Sequence, residues 1–170
     1  DEDFWKAENA ACRLQPDNPK QAIVALTYTH GDQLSGSRSD NDDQGYDFDL
    51  VVVRTDDGRL VARNAHGAGI DSDAIVFEGI GIDTANYALA PGVRAFGVRV
   101  EHDSHCYQCQ YAQTDLTLYL QRGKRLDAIL DITVHQTRGE ADATDCGDLP
   151  SETTRTLKVA PDTSHGLADL

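Results

Sequence analysis

Apolar and polar residues alternate along much of the chain, which is the pattern of half-buried β-strands. In residues 46–54, YDFDLVVVR, the even positions from Tyr46 to Val52 are apolar, whereas Asp47 and Asp49 are acidic. Because successive side chains of a strand point to opposite faces, this segment is expected to place one face on a core and the other in water. Asp57-Gly58, shortly afterwards, supplies the positive φ angles of a tight hairpin turn.

A second hairpin is the clearest structural signal in the sequence. Its first arm, residues 114–121, places three leucines on one face and polar residues with a tyrosine on the other: Leu116, Leu118 and Leu120 against Asp115, Thr117, Tyr119 and Gln121. After a turn at Gly123-Lys124, residues 125–135 align a second apolar face: Leu126, Ala128, Leu130, Ile132 and Val134. The pattern predicts two antiparallel strands that share one apolar side.

Four further segments have strand character: 21–29, 74–83, 93–102 and, as a short edge strand, 154–160. Only residues 2–12 have a helical pattern, and residues 1–16 are therefore predicted as a helical appendage packed on the sheet. We predict one all-β domain spanning residues 1–170, an antiparallel β-sandwich or barrel of about seven or eight strands with a short N-terminal helix.

The charge of the chain restricts its partners. Lys and Arg total 15 against 29 Asp and Glu, which gives a formal net charge of -14. Nucleic acid and anionic membrane surfaces would be repelled, whereas a basic protein or metal ions would be attracted. The acidity can also serve solubility alone. No segment approaches the roughly 18 apolar residues of a membrane helix, so we predict no membrane insertion.

Two features suggest an exported protein. The sequence starts at Asp1 and contains no Met, as expected after removal of a signal peptide. The four cysteines, an even number, fit an oxidising compartment. We therefore expect a periplasmic or extracellular location.

The segment SHCYQCQY, residues 104–111, lies between two predicted strands and has three possible roles. His102 and His105 with Cys106 and Cys109 have the chemistry of zinc ligands, but all four fall within eight residues. A redox pair requires a helix N-terminus, which strand flanks do not provide. Disulfides are favoured, with Cys106–Cys109 and Cys12–Cys146 slightly preferred over the crossed pairings.

The same segment carries the predicted partner contact. Tyrosines on a constrained loop offer a large contact area at low entropic cost, which suits a binding surface. Alternatively, the tyrosines fold back over the sheet edge. The nominated contact residues are Tyr107, Gln108, Gln110 and Tyr111.

An acidic stretch, residues 39–49, resembles a calcium loop in composition. It fails as an EF-hand loop because Val51 occupies the position of the bidentate Glu and a strand follows. A less regular calcium site would use Asp40, Asp42 and Asp47.

No motif for nucleophilic, phosphate or dinucleotide chemistry is present, and we nominate no catalytic residue and no cofactor. The sequence is best interpreted as a non-enzymatic binding protein, of the inhibitor or immunity type, for a basic protein partner. The alternative is a metal-binding or sensing domain that holds zinc or calcium. A third possibility is an extracellular hydrolase with an unrecognised carboxylate site.

The disulfide hypothesis predicts that none of the four thiols reacts with an alkylating reagent before reduction and that all four react afterwards. The measurement is intact mass under non-reducing conditions. Alkylation of all four thiols without reduction would contradict both the disulfides and the oxidising compartment.

Overall fold

The structure, a computed structural model, describes residues 10–29, 46–64, 68–70, 76–104, 109–140 and 151–170. In these ranges the chain is all-β and has no helix. The strands are β1 (Ala10–Gln15), β2 (Asn18–Thr29), β3 (Tyr46–Arg54), β4 (Leu60–Asn64), β5 (Ala68–Ile70), β6 (Val76–Ala90), β7 (Val93–Asp103), β8 (Cys109–Arg122), β9 (Arg125–Glu140), β10 (Ser151–Thr154), β11 (Thr163–Ser164) and β12 (Leu167–Ala168).

Eight strands form a nearly closed, barrel-like sheet in the order β1-β2-β3-β4-β9-β8-β7-β6. It consists of two antiparallel meanders, β1–β4 and β6–β9. A short parallel ladder joins them, in which Arg63 and Asn64 of β4 pair with Arg125 and Leu126 of β9. At the other edge β1 lies beside β6, and no ladder joins these two strands in the described residues.

The two ends of the sheet differ. At one end, the tight-turn end, short turns at 16–17, 55–59, 91–92 and 123–124 connect neighbouring strands. Gly58, Gly92 and Gly123 adopt positive φ angles there, and Gly58 and Gly123 lie in the two turns predicted from the sequence. At the opposite end, the loop end, the chain leaves β2, β5, β7 and β9 for its longer connections.

The main core lies inside the sheet. The alternation predicted for residues 46–54 is confirmed, because the even positions from Phe48 to Val52 are buried, whereas Asp49 is exposed. Apolar side chains from both meanders complete this inner core: Ile23, Ala25, Phe77, Phe96, Val98 and Leu126.

A second core cluster covers the opposite face of the β6–β9 meander. Leu116 and Leu118 are completely buried there, together with Leu89 and Val134. The C-terminal segment contributes the half-buried side chains of Leu157 and Leu167. This half of the sheet is therefore apolar on one face against the C-terminal segment, and its other face is directed to the interior.

A bulge in β9 divides the apolar face that the sequence pattern aligned. Leu118 pairs with Leu130, but the next residue, Tyr119, pairs with Ala128, so Ile129 is an extra residue in the ladder. The shift changes which face each side chain occupies. As a result, Leu126 belongs to the inner core and Leu130 packs on the second cluster. The prediction that these two leucines share one face was wrong.

Two other sequence predictions require correction. Residues 10–12, predicted as the end of a helix, belong to β1, where Cys12 pairs with Val24 of β2. Backbone pairing with a neighbouring strand outweighs a weak helical pattern; residues 1–9 lie outside the described ranges. The strand predicted at 154–160 contains only the last residue of β10, because the ladder with β9 ends at Thr154.

Gly97 provides a test of how tightly neighbouring strands of the β6–β9 meander pack on the face of the second core cluster. A Cβ atom at this position would lie 2.5 Å from Leu116 Cδ1 and 3.1 Å from Asp83 Cβ. Leu116 is completely buried, so a shift of its side chain would disturb the packing of the second core cluster. Gly97→Ala is therefore expected to lower the free energy of unfolding by about 1–3 kcal/mol, measured by urea denaturation.

Gly81→Ala is the matched control, because Gly81 also lies in a strand and its Cβ would contact nothing within 4 Å. If the two variants had equal stability, the packing described for Gly97 would be incorrect.

Candidate functional site

The polar face of β8 is directed to the interior of the sheet rather than to water. Since Leu116 and Leu118 of β8 occupy the second core cluster, the alternate side chains turn inward. Four of them define what we call the polar row: Tyr111, Gln113, Asp115 and Thr117. All four are half-buried.

Two Asp-Thr pairs link β8 to β9 in a reciprocal arrangement. The hydroxyl of Thr133 donates a hydrogen bond to Asp115 Oδ1 at 2.7 Å, and the hydroxyl of Thr117 donates to Asp131 Oδ1 at 3.3 Å. The arrangement arises because Asp115-x-Thr117 and Asp131-x-Thr133 are directly opposed in an antiparallel ladder.

Amide and phenol groups extend this network toward the loop end. Gln113 Nε2 donates to Asp115 Oδ2 at 2.6 Å, and the hydroxyl of Tyr111 donates to Gln113 Oε1. Gln136 Nε2 lies 3.3 Å from both the Tyr111 hydroxyl and Gln113 Oε1. The network thus runs along the inner face from the loop end to Asp115.

A cavity of about 540 Å³ lies beside the polar row. Asp115, Thr117, Asp131 and Thr133 form its polar wall. Its apolar wall contains Phe48, Ile70, Val98 and Val100, and His102 and Tyr119 complete the lining together with Ile132. A cavity of this size, with an apolar wall on one part of its lining and convergent polar groups on another, has the properties of a small-molecule site.

Tyr119 is the most deeply buried polar residue in the lining, with 5% of its surface exposed. Its ring stacks on Phe96 at a centroid distance of 6.2 Å. Burial, followed by the negative charge of Asp131, raises the pKa of Tyr119, so its hydroxyl is neutral at physiological pH. This hydroxyl has no hydrogen-bond partner among the residues that the structure describes.

His102 lies at the part of the cavity nearer the loop end. Its ring contacts the edge of Phe77, with ring centroids 6.3 Å apart. Neither ring nitrogen has a hydrogen-bond partner in the described ranges. Tyr119 and His102 thus present an O–H group and two ring nitrogens to one cavity.

The cavity lies beside a gap in the sheet. On the side of β9 away from β8, the described ladders end at Leu126 with β4 and resume at His135 with β10. Asp131, in the middle of this interval, is exposed to solvent. Phe48 of β3 and Ile70 of β5 contribute to the cavity lining together with Asp131.

The predicted metal sites have no support in the described part of the chain, in which no group of three His, Cys, Asp or Glu side chains could hold a metal ion. Of the nominated ligands, only His102 has a described side chain, whereas Asp47 is described as backbone in β3. The others, His105, Asp40 and Asp42, lie outside the described ranges.

The disulfide prediction stays open. Cys12 is a free, exposed cysteine on β1, and no disulfide is seen in the described ranges. Cys109 begins β8, but its side chain is not described. The residues Cys106, Cys146, Tyr107 and Gln108 lie outside these ranges, and only the backbone of Gln110 is described.

Tyr111 was nominated as a loop contact, and the structure places it within β8. Its backbone N–H donates to Ser104 Oγ at 3.0 Å. The predicted contact therefore included one residue of the polar row, Tyr111, whereas the cavity was not predicted. The missed signal was the repeated Asp-x-Thr pattern on the two strands of the predicted hairpin.

A second polar cluster joins β6 to β7. Asp83 Oδ2 accepts hydrogen bonds from Arg99 Nη2 at 2.7 Å and the Tyr87 hydroxyl at 3.0 Å, and Asp83 Oδ1 accepts one from the Ala85 N–H at 2.8 Å. Burial alone raises the pKa of Asp83, but these hydrogen bonds and the charge of Arg99 outweigh it and hold the pKa below its usual value. The cluster has its own charge balance and stabilises the meander.

Comparisons with protein-family models, curated proteins and solved structures find no match to this chain. Among the residues that the structure describes, no helix is long and apolar enough to cross a membrane.

Asp83→Asn is expected to lower the free energy of unfolding at neutral pH by about 2 kcal/mol, because charged hydrogen bonds are replaced by neutral ones. A carboxylate with a lowered folded-state pKa stabilises the fold above its unfolded pKa of about 3.9. That stabilisation is lost as the pH falls through the folded value. Urea denaturation across this range should show the difference from the unaltered protein shrinking below about pH 4.

Asp56→Asn is the control, since Asp56 pairs with Arg54 in a turn where both side chains are exposed. Solvent screens such a pair, and its loss should change stability far less. A difference between Asp83→Asn and the unaltered protein that is the same at acidic and neutral pH would contradict the role given to Asp83.

Proposed function

We propose that this protein is a non-enzymatic binding protein that holds a small organic ligand in the cavity between the polar row and the apolar wall. One observation carries the proposal: the hydroxyl of the almost completely buried Tyr119 faces the cavity lining without a partner in the described residues. This hydroxyl is accessible to water, and a bound molecule that hydrogen-bonds to it would take the place of that water.

The rigidity of the lining supports the proposal. Every lining residue lies on a strand, and the polar groups of β8 and β9 are held by the Asp-Thr pairs. Polar groups fixed before binding lose little entropy when a ligand arrives. The apolar wall supplies contact area, and the polar wall supplies orientation.

A second candidate is the basic protein partner expected from the sequence, with its contact at residues 107–111. The formal charge of -14 favours this candidate. Electrostatic association of this kind weakens steeply as salt is added. We also propose export to an oxidising compartment, on the even number of cysteines.

The cavity proposal predicts that members of a panel of phenylalkyl alcohols, amines and carboxylates bind between β3 and β9. Chemical-shift changes in NMR spectra should cluster at Val98, Val100 and Thr117. Val100→Phe fills part of the cavity and is expected to weaken binding by at least about tenfold, which corresponds to about 1.4 kcal/mol.

Leu14→Phe is the control, because Leu14 lies on β1 with 58% of its surface exposed and away from the cavity. The proposal fails if no member of the panel binds, or if Val100→Phe binds as tightly as the unaltered protein.

A further inference from the structure

We infer that the cavity selects an organic cation, a protonated amine attached to an apolar body. This inference rests on the proposed function and specifies the ligand class of the same site. It depends on the charges that line the cavity and on the partners that those charges have.

The polar wall carries two carboxylates that have only neutral partners. Asp115 accepts hydrogen bonds from Gln113 and Thr133, and Asp131 accepts one from Thr117. Within the described ranges, neither carboxylate forms an ion pair with an arginine, lysine or histidine. The cavity lining likewise contains no arginine or lysine.

Other aspartates of the described chain have an arginine partner. Arg99 pairs with Asp83 at 2.7 Å, Arg125 with Asp127 at 2.8 Å, and Arg94 with Asp17 at 2.8 Å. Asp127 precedes Asp131 on the same strand and shows that β9 can place an arginine beside an aspartate. Asp115 and Asp131 lack such a partner in the described residues, as Asp49 and Glu101 of the same sheet also do, but Asp115 and Asp131 line the cavity.

The hydrogen bonds on the polar wall leave acceptor capacity for a ligand. An ionised carboxylate offers about four lone-pair positions. Asp115 uses two of these positions and Asp131 uses one for the side-chain hydrogen bonds described above. An ammonium group carries up to three N–H donors and could bond to these oxygens, with the Tyr119 hydroxyl as a further acceptor.

The apolar wall indicates what the rest of the ligand is. Phe48, Val98 and Val100 are uncharged, and they offer contact area for a hydrocarbon or aromatic body. An anionic ligand would meet two carboxylates without a compensating cation. A calcium ion prefers six to eight oxygen ligands, more than two aspartates provide.

The test uses three probes of nearly equal shape: phenylbutylamine, phenylbutanol and phenylbutyrate. Isothermal titration calorimetry at neutral pH and low salt is expected to give an amine affinity at least about tenfold above that of the alcohol, with no measurable binding of the carboxylate. Asp115→Asn and Asp131→Asn should each weaken amine binding by about tenfold and leave alcohol binding unchanged.

Unchanged alcohol binding also demonstrates that a variant is folded. The comparison of the three probes uses the unaltered protein, so it tests the inference even where a variant does not fold. Asp127→Asn is the matched control on β9, because Asp127 is paired with Arg125 and does not line the cavity; it should bind the amine normally.

The outcomes separate this inference from the proposed function. Equal affinity for the amine and the alcohol overturns the cation inference and leaves a cavity that still binds the alcohol. Absence of binding by all three probes overturns both.

Discussion

The burial of the β8 leucines against the C-terminal segment is the constraint on which the rest of the structure depends. Leu116 and Leu118 are completely buried in the second core cluster, which Leu157 and Leu167 help to cover. Because strand side chains alternate, the opposite side chains of β8 must face the interior. A sheet interior lined by apolar residues would fill with side chains, whereas this one brings polar groups into it and encloses a cavity.

Placing these polar groups inside has a cost that the Asp-Thr pairs offset only in part. Each threonine hydroxyl satisfies one carboxylate oxygen, but both negative charges remain without a positive partner in the described residues. Residues that lower the stability of the fold are expected at functional sites. We therefore regard this wall as a binding surface rather than as part of the core.

The strands and hairpin turns could be predicted from the sequence because alternation and glycine placement are local signals. The segment from Phe48 to Val52 and the turn at Gly58 follow from such signals. The extra residue at Ile129 could not be predicted, since a bulge depends on the partner strand. The direction of the Asp115 face could not be predicted either. An alternating strand does not reveal whether water or a cavity lies on its polar side, and the C-terminal residues that decide this are distant in sequence.

The gap beside β9 explains how a nearly closed arrangement of strands can admit a ligand. The parallel ladder with β4 ends at Leu126, and within the described ranges the next bonds to β9 on that side come from Arg155, which donates to the Thr133 and Val134 carbonyls just before the ladder with β10 begins at His135. Between these points, the exposed Asp131 is the cavity residue nearest to solvent, whereas Tyr119 is deeply buried. A ligand entering through the gap would meet a carboxylate first and the phenol last. This order places the charge that attracts a cation at the entrance and the group that fixes its orientation at the back.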